Sequence, residues 1–336
     1  MKIYHSYWSK GYVGAPSAYV VDLHNLSAYL AKKQYGEIHL ITDTEGKKHL
    51  SGIDYTSIST SLDGLPAEYG TVWSLGKLLA YNQIAALGEP FMHIDYDVLL
   101  WKKLPETFTA SPVFAERLET SVNWRYNVMN FYARCPNHHD LKTLVRDGAL
   151  NAGVVGGNDL DLIYKTTHRA MAFVLDPANK EFMTSTDAKI NVPSWSRATI
   201  AEQLYIYQYC LMNNQDITFL MKTTKLEEQQ LECIDLGYTH LWGQKHAPQI
   251  KHDIYKRMEE FKLETKEDYT PSVSWVMGGA LKAVKSLAYK KSEQSEQRLA
   301  VCHSCPEWNG KSCKVCGCYV KLKVRVPEEK CPHGKW

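Results

Sequence analysis

The sequence contains no run of the roughly 18 uninterrupted apolar residues that a membrane-spanning helix needs. Its first residues, MKIYHSYW, lack the basic-then-apolar layout of a secretory signal. These two absences lead to the expectation of a cytoplasmic protein without a membrane span. No repeat at a fixed period is evident, which argues against solenoids and propellers. A Gly-rich, Lys/Arg-bearing phosphate loop is also missing from the stretch after the first apolar run, YHSYWSKGYVGAPSAY, which counts against a nucleotidyltransferase. Cysteine is sparse over most of the chain, where only Cys135, Cys210 and Cys233 occur. Charge is nearly balanced at +2, and the hydrophobic content of 44% is ordinary for a soluble globular protein, so composition alone names no function.

Charge and cysteine are nevertheless distributed unevenly. Residues 281–336 carry 12 Lys/Arg against 5 Glu, so the tail is +7 and the remainder −5. Six cysteines, Cys302, Cys305, Cys313, Cys316, Cys318 and Cys331, fall in the last 35 residues. In a chain read as cytoplasmic, such clustering favours metal thiolates over disulfides. Between the two regions the polar run KKSEQSEQR (290–298) reads as a linker or an exposed helical spacer. The expected organisation is a large domain over 1–285, a linker over 286–298 and a cysteine-rich module over 299–336.

In the large domain, KIYHSYW reads as a first strand, and a helix follows with Ser17 as N-cap and Gly36 as stop. EIHLITD is a second strand, Thr71 to Gly88 a helix with apolar residues at helical spacing, and EPFMHID another strand. SPVFAER, LNAGVVGG and DITFL read as later strands. NDLDLIYKTTHRAMAFVL and RATIAEQLYIYQYCLMNN read as helices, and KHDIYKRMEEFKLETKEDY as a surface helix. The β-α-β-α-β order predicts an α/β fold with a mostly parallel, Rossmann-like sheet, whose ligands gather beyond the carboxyl ends of the strands.

Asp95 and Asp97 stand at such an end. Two carboxylates this close repel unless a cation joins them, and a D-x-D at a strand end can bind a divalent cation that in turn holds a diphosphate. Three later segments supply complementary groups. LNAGVVGGND places Asn151 and Gly153 where backbone approaches a ligand closely. AEQLYIYQY puts Glu202 and Gln203 at the expected start of a helix. THLWGQKHAP offers His240 as a third metal ligand, Gly243, and Lys245 as a cation for phosphate oxygens.

These four motifs, in this order, resemble the GT-A glycosyltransferases, most closely the glycogenin-like and lipopolysaccharide-galactosyltransferase-like retaining enzymes, over roughly residues 1–250. The resemblance implies a GT-A sheet and transfer of a sugar from a nucleoside-diphosphate sugar, UDP-sugar first, to a glycan, protein or other acceptor, with Mn²⁺ or Mg²⁺ as cofactor. Asp97 and His240 would be metal ligands, and Asp95 would bind the metal, the ribose or both. Lys245 would contact the diphosphate, Lys77 the nucleotide or sugar, and Asn151, Glu202 and Gln203 would serve the sugar pocket. Glu202 stands where such enzymes usually carry Asp, and His246 and Ala247 separate Lys245 from Pro248 where they usually carry Lys-Pro. Retention follows from the resemblance only; an inverting enzyme would need a carboxylate base, for which Glu116 or Asp187 are candidates. Trp73, Trp124, Trp195 and Trp242 are candidates for stacking or for core, and His138 and His139 form no metal pattern.

The tail contains C-x2-C, seven residues, C-x2-C-G-C, then Cys331 after twelve more. Tetrahedral zinc takes four such ligands, so Zn²⁺ is expected, with the choice among six thiols open. The module resembles short zinc-ribbon modules. Its basic residues with Trp308, Tyr319 and Trp336 would suit nucleic acid, but a zinc-stapled structural or docking role is preferred. The rival to the transferase is a non-catalytic, nucleotide- or nucleic-acid-binding zinc protein.

Overall fold

The computed structural model describes residues 1–12, 14–120, 128–138, 148–187, 190, 192–223, 226–241, 245–267, 292–308, 310, 313, 320–326, 329–331 and 333–336. Its frame is a mixed, mostly parallel sheet flanked by helices. The strands are β1 (Lys2–Tyr7), β2 (His39–Thr42), β3 (Ser57–Ser59), β4 (Phe91–Ile94), β5 (Val98–Leu100), β6 (Val113–Glu119), β7 (Ala149–Gly157), β8 (Thr218–Phe219) and β9 (Tyr238–His240). Seven of them form the main sheet in the order β3-β2-β1-β4-β7-β6-β8, while β5 and β9 form a separate two-stranded sheet. Pairs β1–β2, β1–β4, β2–β3 and β6–β8 are parallel; β7 runs antiparallel to β4 and β6.

Alternation along the strands builds a core on each face. Ile3, Met92 and Ile94 pack on one side with Ala28 and Ala31 of the helix Ala18–Tyr35. Tyr4 and Phe91 pack on the other with the helices Ser74–Ala86 and Leu160–Leu175. All nine residues of β7 are buried, as a central strand covered on both faces requires. The first helix begins where Ser17 accepts a hydrogen bond from the Val20 amide and ends at Gly36, whose φ of 88° is open to glycine.

Two expectations are corrected. The stretch read as a surface helix, 251–269, is helical only to Glu260 among its described residues, in a helix that begins at Pro248, and that helix is half-buried: Ile250, Ile254, Tyr255 and Met258 pack against Tyr19, Leu23, Leu26 and Leu30 of the first helix. Glu202 and Gln203 do not open a helix. Helical backbone begins at Ser194, and the two residues sit in a π-helical turn, Ile200–Leu204, before the helix resumes over Tyr205–Met212. In the run read as a linker or helical spacer, the described part is helical: a helix spans Glu293–His303, with a capping box between Ser292 and Ser295, and runs into the cysteine-rich segment. Among the described residues, no helix is long and apolar enough to cross a membrane.

Met258 is fully buried, so Met258→Ala is expected to lower the unfolding free energy by about 2–5 kcal/mol in urea denaturation. A change within about 0.5 kcal/mol, typical of exposed positions, would show that this helix does not belong to the core.

Candidate active site

The site begins with the short turn between β4 and β5. Asp95, Tyr96 and Asp97 follow the last residue of β4, and the turn is pinned on two sides: the Asp95 amide donates to the Gly153 carbonyl at 2.9 Å, and the Val98 amide to the Asp95 carbonyl at 2.9 Å. Beyond it, β5 pairs antiparallel with β9 so that Val98 faces His240, and the Leu241 amide donates to the Asp97 carbonyl at 3.0 Å. Backbone pairing thus brings His240 to the aspartates. The candidate ligand atoms of Asp95, Asp97 and His240 all lie within 4.8 Å of one another, and among the described residues this is the one such group of side chains that could hold a metal ion.

Glu116 sets the orientation of His240. Its Oε2 accepts from His240 Nδ1 at 2.6 Å and from the Tyr238 hydroxyl at 2.7 Å. The other ring nitrogen, Nε2, lies 3.5 Å from Asp97 Oδ1. A metal-binding histidine commonly has its second nitrogen held by a carboxylate in this way, which fixes the ring and leaves one nitrogen for the ion. Glu116 sits where the register between β6 and β7 shifts, at a bulge that re-aims its side chain. Gly153 makes room for this pair, because a Cβ there would collide with both Glu116 Oε2 and His240 Nδ1.

Burial alone would keep His240 neutral, but Glu116 and Asp97 outweigh it and raise its pKa to about 9. Burial likewise opposes ionisation of Asp97, yet His240 and Lys245 hold its carboxyl well below the usual carboxylate range. Lys245 Nζ lies 2.8 Å from Asp97 Oδ2, and 4.7 Å from the ring centre of Tyr96. On the other side, Lys77 bridges Asp95 Oδ1 at 2.9 Å and Glu202 Oε1 at 2.8 Å. Burial would lower the Lys77 pKa, but the two carboxylates raise it, so the ammonium stays charged.

These groups open onto a cavity of about 390 Å³ lined by Lys77, Asp95, Asp97, Asn151, Gln203, His240 and Lys245, with Trp8, Tyr12, Trp73 and Tyr96 as its aromatic walls. Volumes of roughly 300–1,000 Å³ suit small organic ligands. Of the residues singled out in the sequence, most therefore converge. Glu202 does not: it is fully buried behind Lys77, accepts from Tyr81 at 2.8 Å and does not line the cavity, so it is placed to hold Lys77 rather than to touch a sugar. Glu116 and Asp187 are not placed as bases either, since Glu116 is fully buried against His240 and Asp187 is exposed away from the cavity lining. Trp195 is 39% exposed, and His138 bonds the Cys135 carbonyl. Trp124, His139, Trp242, Gly243, Cys316, Cys318 and Tyr319 lie outside the described residues.

Sequence reasoning took Glu116 as a candidate base and missed its partner Tyr238, and so missed how this pair orients His240. A glutamate inside the apolar strand VFAERLE was the available signal, but its partner His240 lies 124 positions away.

A family model described as a family of unknown function, DUF6734, matches residues 1–270. The chain belongs to that family. A second model, also described as a family of unknown function, DUF6171, matches residues 285–336. No curated protein matches the chain.

Glu116→Gln is expected to weaken Mn²⁺ binding about 10–100-fold in calorimetric titration, the usual cost of losing a carboxylate that orients a ligating histidine. Undiminished affinity in a folded variant would show that Glu116 does not act through His240.

Proposed function

We propose that this DUF6734 protein is a metal-dependent glycosyltransferase of GT-A type, transferring a sugar from a nucleoside-diphosphate sugar, UDP-sugars first, to an acceptor hydroxyl. The observation that carries the reading is the convergence of Asp95, Asp97 and His240 at a strand end, on a cavity that also presents Lys77, Lys245, Asn151 and Gln203. Two carboxylates and one imidazole nitrogen are a donor set suited to Mn²⁺ and compatible with Mg²⁺. The residues fit such an ion because Glu116 already engages His240 Nδ1 and leaves Nε2 toward Asp97.

Asp95, Asp97 and His240 would hold the ion, which when bound supplies Lewis-acid neutralisation of the leaving diphosphate. Lys245 is the cation on the Asp97 side of the cavity and Lys77 the cation on the Asp95 side, so a diphosphate seated there meets positive charge from both directions. Asn151, held by its side-chain bond to the Gly153 amide, and Gln203, on the π turn, face the cavity as polar groups for sugar hydroxyls. Among the described residues, the carboxylates lining the cavity are Asp95 and Asp97. This supports retention by front-face attack, in which the acceptor proton passes to the departing phosphate rather than to a protein base.

A screen of nucleotide sugars with Mn²⁺, following release of nucleoside diphosphate, tests the reading. At least one donor should be turned over, and Asp97→Ala should lower that turnover by about 100-fold or more, in the range seen when a transition-state charge partner is removed. Full activity of Asp97→Ala in EDTA would eliminate the metal mechanism.

Gln203→Ala should lower kcat by about tenfold or more, equivalent to roughly 1.4 kcal/mol, while leaving nucleoside diphosphate affinity near wild type. The reverse pattern, intact kcat with weakened nucleotide binding, would place Gln203 at the nucleotide instead.

A further inference from the structure

The described part of the cysteine-rich segment has very little core. Among its described residues from Ser292 onward, the buried apolar side chains are Val320, Val324 and Val326. A segment of this length needs a staple to hold a fold. The described thiols are free, so disulfides do not provide it.

Four of those thiols ring one small cavity. Cys302, in the last turn of the helix Glu293–His303, together with Cys305, Cys313 and Cys331, lines a space of about 20 Å³, room for one atom-sized guest. Local backbone turns present the sulfurs. The Cys305 amide donates to the Cys302 carbonyl at 3.0 Å and the Trp308 amide to the Cys305 carbonyl at 3.0 Å, forming a tight knuckle. A matching turn follows Cys331, where the Gly334 amide donates to its carbonyl at 2.9 Å. An antiparallel bridge between Trp308 and Cys313 brings in the third strand of chain. No three of these sulfurs lie within 4.8 Å of one another, so coordination of one ion would require them to move inward.

Two of the sulfurs have N–H donors aimed at them. Trp336 Nε1 donates to Cys302 Sγ at 3.1 Å, and Lys335 Nζ to Cys305 Sγ at 3.2 Å. Lys323 and Arg298 lie over the Trp336 ring at 5.7 and 4.9 Å. Four thiolates around a divalent ion leave a net charge of −2, and these cations answer it. Neutral thiols filling an apolar gap would have no use for an ammonium and an indole N–H aimed at two of them.

We propose that Cys302, Cys305, Cys313 and Cys331 hold one structural Zn²⁺ that closes the C-terminal segment onto the helix Glu293–His303. The site is independent of the transferase reading. Tetrahedral tetrathiolate coordination is the usual form of structural zinc, and its binding energy supplies the folding energy that three valines cannot.

The full-length protein tests this without mutation. Elemental analysis after dialysis against metal-free buffer should find one zinc per chain. Alkylation of that native protein, mapped by mass spectrometry, should spare Cys302, Cys305, Cys313 and Cys331 and modify Cys316 and Cys318; removal of the metal with excess EDTA should expose all six. Exchange for Co²⁺ should give a thiolate-to-metal charge-transfer band of four-sulfur intensity, which the carboxylate and imidazole donors of the first site cannot produce. Cys331→Ser should lose this zinc, and Cys316→Ser should keep it. Absence of tightly held zinc, or alkylation of Cys313 or Cys331 in the zinc-loaded protein, or retention of zinc in Cys331→Ser with loss in Cys316→Ser, would overturn the assignment.

Discussion

Four carboxylates, Asp95, Asp97, Glu116 and Glu202, converge at the carboxyl edge of the sheet, and their mutual repulsion has to be answered before anything else can pack there. Three of the four are buried, and an unpaired buried charge costs several kcal/mol. Lys77 answers Asp95 and Glu202, Lys245 answers Asp97, and His240 stands between Asp97 and Glu116. Arg117, 3.6 Å from Glu116, adds a further positive charge. Each cation arrives on a different element, so the ion pairs also fix how the helix Ser74–Ala86, β9 and the segment after it meet the sheet.

That constraint sorts the polar residues by task. Side chains whose charge is already matched inside the protein, such as Glu116 and Glu202, act on their neighbours. Those with a face to the cavity remain available to a ligand. The division explains why two glutamates that look equally catalytic on paper end up behind the residues they serve. It also explains the glycine at position 153, where backbone must pass so close to Glu116 and His240 that no side chain fits.

Much of the frame could be read from local signals. The strand at Lys2, the helix between Ser17 and Gly36, the strand before Asp95 and the long strand through Asn151 each carry their own periodicity or caps. What was not legible depended on partners remote in sequence. The three-residue strands β5 and β9 are too short to show a pattern and exist only as a pair. The half-buried character of the helix Pro248–Glu260 depends on the first helix, and its charged face masked its apolar one. The bulge at Glu116 and the π turn at Glu202 are single-residue irregularities, invisible to any fixed period. Within the site, Asp95, Asp97 and His240 were legible as motifs, whereas the partner that orients His240, Glu116, was not. An orienting residue needs only the right neighbour, and the neighbour is specified by the fold.

The pairing of β5 with β9 has a kinetic side. Asp97 leads into β5 and His240 ends β9, so the cluster is divided across about half of the matched residues 1–270. Closing so long a loop costs chain entropy that only the surrounding core can repay, and contacts of high sequence separation form slowly. During synthesis, the sheet strands β1, β2 and β4 are available to fold while His240 is still unmade. The Asp95–Asp97–His240 cluster therefore cannot assemble until the chain has been made through β9.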